Sequence, residues 1–177
     1  MHLHSESEAH NTGLVFSSSA PGVLMGVGNT GDHLKPYQDG DFYISTDAGL
    51  TWERAREGPH KYEFGDQGGI LIAVRDNEEA DTVWYTFNYG KDWKELSLGS
   101  DVRIKPVLLT TLPDSTSERF TLVGKKPEGG YSVFSLNFEG SRSRKCKLDK
   151  KGDGADFEKW YARYNDEGLH TLCFVNE

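Results

Sequence analysis

The sequence predicts an all-β chain built as part of a β-propeller. Three observations predict it. Short apolar or alternating runs are each bounded by Gly, Pro, Asn, Asp or Ser, as strands joined by tight turns are. No segment before residue 155 carries a 3.6-residue period, so helices are not expected there. One motif recurs after 41 residues, close to the ~40 residues of a four-stranded propeller blade.

The expected strands, in chain order, are 14–18, 23–27, 42–46, 51–54, 70–74, 82–87, 93–96, 107–111, 120–124 and 132–138. At ~40 residues each, three to four four-stranded blades fit before residue 140. Residues 156–164 read as a short helical turn. Composition agrees with this plan. Among 177 residues, 20 glycines and 12% aromatics suit short strands and turns better than a helical bundle.

The repeated motif carries its own mechanics. Residues 45–52 read Ser-Thr-Asp-Ala-Gly-Leu-Thr-Trp, and residues 86–93 read Thr-Phe-Asn-Tyr-Gly-Lys-Asp-Trp. The Ser or Thr ends one strand and the Trp opens the next. Asp47 and Asn88 are placed to accept backbone N–H groups inside the turn. Gly49 and Gly90 supply the positive φ that such a turn demands. Trp52 and Trp93 then fold beneath the turn and bury aromatic area. The template is the Asp-box of sialidases, some glycoside hydrolases, plant assembly factors and sortilin-type receptors. Ser45, Asp47, Gly49, Thr51 and Trp52 match it in full. Thr86, Asn88, Gly90 and Trp93 form a degenerate copy, with Asp92 where Thr is usual. The motif speaks for the fold and assigns no catalysis to Asp47.

The segments around the boxes are more specific. Residues 17–28, Ser-Ser-Ser-Ala-Pro-Gly-Val-Leu-Met-Gly-Val-Gly, and residues 57–72, from Glu57 to Ile72, resemble the last blades of the sortilin family, especially the fungal vacuolar sorting receptors. Residues 113–117 with 120–124 resemble the stretch after the final Asp-box there. Cys146, residues 156–160 and Cys173 resemble the start of the cysteine-rich module that follows. The resemblance implies a ten-bladed propeller followed by two disulfide-bonded modules, in a type I receptor. Such a receptor collects protein or peptide cargo on the lumenal side of the Golgi and releases it in endosomes. It divides this chain into propeller blades (1–140) and the start of a cysteine-rich module (141–177). It also implies that the chain is a fragment of the receptor, with open sheet edges that make it marginally stable alone. Cys146 and Cys173 would pair in the lumen, with each other or with cysteines outside this chain. A bridge across that loop contributes about 3 kcal/mol in the chain-entropy model.

Other classes are disfavoured. A net charge of −8 argues against nucleic acid. The basic run from Arg142 to Lys151 reads as a solvated linker. No apolar stretch approaches the ~20 residues of a membrane span, and the polar start is no signal peptide. Residues 26–31 fit G-x-G-x-x-G, but Pro36 follows closely and no helix opens to hold a pyrophosphate; a glycine-rich blade loop fits better. No cofactor or metal is expected. His2, His4 and His10 read as a floppy polar tail. His60 is read in two ways: an acid-sensing group in endosomes, or a hydrogen-bonded structural histidine between blades, which the context favours. The rival reading is a fragment of a sialidase-like Asp-box glycoside hydrolase. Arg54, Arg56, Arg75, Arg103 and Arg119 lie scattered, without sialidase patterning, and no opposed carboxylate pair or nucleophile motif is readable.

Overall fold

A computed structural model describes residues 1–4, 19–141, 157–159 and 173–175. The chain forms two compact units, Met1–Glu139 and Gly140–Glu177. The strand expected at 14–18 lies outside the described residues.

Among the described residues, the first unit holds three antiparallel sheets. The first runs β1 (His2–Leu3), β2 (Leu24–Asn29), β3 (Asp41–Ser45) and β4 (Glu53–Arg56), in that spatial order. The second runs β5 (His60–Gly65), β6 (Ile70–Arg75), β7 (Thr82–Thr86) and β8 (Lys94–Ser97). The third holds β9 (Lys105–Thr110), β10 (Arg119–Lys125) and β11 (Tyr131–Asn137). The first two are blades of the expected four-stranded kind, each with a motif turn between its third and fourth strands. In the second unit, β12 (Phe157–Lys159) pairs antiparallel with β13 (Cys173–Val175). Phe157–Lys159 is therefore a strand and not the expected helical turn. Its partner Cys-Phe-Val is rich in β-forming residues, and pairing decides the conformation of so short a segment.

The middle sheet is covered on both faces. Along β6, Ile70, Ile72 and Val74 face the third sheet and pack with Leu109, Phe120, Leu122 and Leu136. Leu71 and Ala73 face the other way, toward Met25, Phe42 and Ile44 of the first sheet. This is why residues 70–74 read as an unbroken apolar run rather than an alternating one. Ring contacts mark both interfaces. Phe42 stacks on His60 at 5.5 Å and Tyr62 at 5.4 Å, and meets Trp93 edge-on at 5.9 Å. On the other side Phe138 lies 4.9 Å from Tyr85 and 5.9 Å from Phe120. Arg56 of β4 lies over the Trp84 ring of β7 at 3.2 Å, a cation–π contact between the first two sheets.

Three further sequence expectations change. Residues 60–65, outside the expected strands, form β5; His60, Tyr62 and Phe64 share one face, where burial against Phe42 outweighs the intervening charges of Lys61 and Glu63. His2 and His4 are not a floppy tail. His2 and Leu3 pair with Asn29 and Gly28, and a Cβ at Gly28 would lie 2.0 Å from the His2 carbonyl oxygen, so glycine permits the pairing. Gly26 to Asn29 belong to a strand rather than a loop. The turn after it is a 3-10 turn at Tyr37–Asp39, so no helix stands where a dinucleotide would need one.

Candidate functional site

The two motif turns lie at one end of the first unit. β5 and β7 run parallel, both being antiparallel to β6, so the β5–β6 turn lies at the same end. That turn holds Asp66, Gln67 and Gly68 at φ 48°, 52° and 94°. It is tied to the β9–β10 loop: Gln67 N–H donates to Ser115 O at 2.6 Å and Asp66 N–H to Ser117 O at 3.1 Å.

In the first box, Ser45 ends β3. Its hydroxyl donates to Asp47 Oδ1 at 2.8 Å and accepts the Gly49 N–H at 2.9 Å. Asp47 in turn accepts the Thr51 N–H at 2.8 Å and the Thr51 hydroxyl at 2.5 Å. Trp52 Nε1 donates to Gly49 O at 3.0 Å, and Gly49 sits at φ 87°. These bonds hold the Asp47 carboxyl down to about 2, the Thr51 hydroxyl first, then the Thr51 amide and the Ser45 hydroxyl. A carboxylate so occupied is ill suited to take a proton from a substrate.

In the second box, the Thr86 hydroxyl donates to Asn88 Oδ1 at 2.8 Å and accepts the Gly90 N–H at 3.2 Å. Asn88 Oδ1 also accepts the Asp92 N–H at 3.0 Å, and Asn88 Nδ2 donates to Asp92 Oδ2 at 2.9 Å. The degenerate copy thus keeps the bonding and reverses its polarity. The first box has the carboxylate at its third position and the donor at its seventh. The second has the donor at the third and the carboxylate at the seventh. Asp92 is the complement of Asn88. Trp93 departs from Trp52. Its Nε1 is buried with no hydrogen-bond partner, and its ring packs against Phe42 and the core between the sheets.

His60 lies at the opposite end, at the start of β5. It is only 1% exposed, and its Nδ1 bonds Gly58 O at 2.9 Å as the neutral donor tautomer. Burial lowers its pKa to about 4; Arg75 and Arg56 add to that, while the Gly58 bond and Asp76 oppose it. Burial therefore favours the uncharged ring. Sequence reasoning missed a buried network beside it. Lys61 Nζ sits 3.2 Å from Asp76 Oδ1, and the Tyr37 hydroxyl donates to Asp76 Oδ2 at 2.9 Å. The period-two alternation of 60–64 marks a strand but reads Lys61 as outward-facing, so no local signal flags the network. Cys173 opens β13, and Cys146 lies outside the described residues, so their pairing is not part of this geometry. His10 also lies outside. Among the described residues no three His, Cys, Asp or Glu side chains cluster as metal ligands, and no helix is long and apolar enough to cross a membrane.

Residues 1–107 match the family model described as sortilin, neurotensin receptor 3, and residues 111–175 match that of its C-terminal part. The chain belongs to the sortilin family. The relatives agree. "Vacuolar protein sorting/targeting protein 10" of Pyricularia oryzae is 49% identical over 172 residues, covering 97% of this chain and 11% of the relative. The protein of that name from Aspergillus fumigatus is 51% identical over 170 residues, covering 95% and 11%. That from Sordaria macrospora is 47% identical over 173 residues, again 97% and 11%. The chain thus spans about a tenth of the length of the fungal sortilin relatives it matches. These matches lend no support to a glycoside hydrolase.

Proposed function

We propose that this chain is a cargo-facing part of a sortilin-type sorting receptor and has no enzymatic activity. One observation carries the reading: near 50% identity to vacuolar sorting proteins across nearly all of the chain. In this reading the blades face the lumen of Golgi and endosomal compartments, and the intact receptor binds soluble hydrolases as protein cargo. The Asp-box residues Ser45, Asp47, Gly49, Thr51, Trp52, Thr86, Asn88, Gly90 and Trp93 act inside their hairpins. The side-chain hydrogen bonds of Ser45, Asp47, Thr51, Thr86 and Asn88 stay within each hairpin, which supports a scaffold role. Propeller blades end near residue 140, and the cysteine-rich segment follows with Cys146 and Cys173 oxidised.

The test is a replacement. The matching segment of the Aspergillus fumigatus relative is exchanged for these 177 residues, and the secreted fraction of a soluble vacuolar hydrolase is measured. Retention at the parental level supports the reading. Secretion equal to that of a receptor-deletion strain sinks it. Incubation of the purified chain with a fluorogenic sialoside and a β-glucan checks the non-enzymatic part, and turnover of either would overturn it.

A further inference from the structure

The two boxes differ at one position in a way the hairpin does not require. The residue before the glycine is left-handed in both, Ala48 at φ 60° and Tyr89 at φ 55°. Glycine, asparagine or aspartate adopts that backbone most readily, and a bulky residue there is an outlier of the kind that gathers at functional sites. Burial does not explain Tyr89, which is 40% exposed.

Tyr89 lines a groove of about 380 Å³ between the two hairpins. Thr46, Thr51 and Glu53 belong to the first hairpin, Tyr89 and Lys91 to the second, and buried Ile44 lies between them. The volume lies within the ~300–1,000 Å³ of small-molecule sites. The lining offers the Tyr89 ring with its phenol, the hydroxyls of Ser45, Thr46 and Thr51, one carboxylate and one ammonium. Its charges are balanced, and its polar groups both donate and accept. We propose that this groove binds a neutral hexopyranose unit of a glycan. The apolar C–H face of the sugar packs on Tyr89, and its hydroxyls bond Glu53, Thr46 and Lys91. Glu53 and the net charge of −8 both disfavour an anionic sugar. The proposal does not depend on the sorting role.

The test is saturation-transfer NMR on the 177-residue chain with methyl mannoside, glucoside and galactoside, sialyllactose as the anionic control, and a mixed tryptic peptide pool. The expected result is transfer to at least one neutral glycoside, with binding about tenfold weaker in both Tyr89→Gly and Glu53→Gln. Tyr89→Gly should unfold at the same or higher urea concentration, because glycine suits φ 55°, so its loss of binding is not a loss of fold. No transfer from any neutral glycoside overturns the proposal. So does undiminished binding in Tyr89→Gly, or selective binding of sialyllactose or of peptides.

Discussion

At the residue scale, the reversed polarity of the second box makes a sharp prediction. Asn88→Asp alone sets a second carboxylate against Asp92 where Nδ2 now donates at 2.9 Å. It should cost about 1 kcal/mol in urea unfolding, and Asn88→Asp with Asp92→Thr should recover most of that loss. Additive losses would mean the two side chains are not coupled. His60 gives a pH prediction. Its folded pKa is lowered to about 4 from the ordinary 6.5. The unfolded chain therefore takes up the proton first. The stability is complete above pH 6.5, falls as the pH drops toward 4, and levels off below that. The full spread corresponds to ~3 kcal/mol at most. In His60→Gln that slope should flatten. An unchanged slope between these pH values would assign it to other groups.

At the element scale, β6 is the strand on which two interfaces depend. Ile72 is fully buried among residues of the second and third sheets. Ile72→Ala should cost ~2–5 kcal/mol, the range for a large-to-small change in a packed core. The β5–β6 turn is constrained differently. A Cβ at Gly68 would lie 2.1 Å from the Ala20 Cβ, and φ is 94°. Gly68→Ala should therefore lower the unfolding midpoint although it adds only a methyl group. The edges contrast too. β4 reads Glu-Arg-Ala-Arg and β8 Lys-Glu-Leu-Ser, short and charged, as protected outer strands are. β11 reads Tyr-Ser-Val-Phe-Ser-Leu-Asn without a charge.

At the scale of the whole first unit, that contrast sets its solution behaviour. Among the described residues no strand pairs with the far side of β11, and Tyr131 and Val133 are 65% and 69% exposed. An uncharged, exposed edge invites pairing between chains. Val133→Lys should reduce concentration-dependent light scattering with little change in the unfolding midpoint. Equal scattering from both proteins would place the association elsewhere.

The sequence by itself determined the all-β class, the blade period and the two hairpins. These are local properties: the side-chain hydrogen bonds of Ser45, Asp47 and Thr51 lie within the first box, while the Ala48 N–H reaches out to Gly22 O at 2.9 Å, and the alternation or apolarity of a run reports which faces are covered. It also carried the family, because the segments flanking the boxes are distinctive. Only the tertiary structure decided that 60–65 is a strand, that His60 is buried against Phe42, and that Tyr37 reaches Asp76 across 39 residues. A charged residue such as Lys61 reads as surface until its partner is brought from another strand. What a side chain meets across a sheet interface depends on the stacking of blades, and no local pattern encodes that partner.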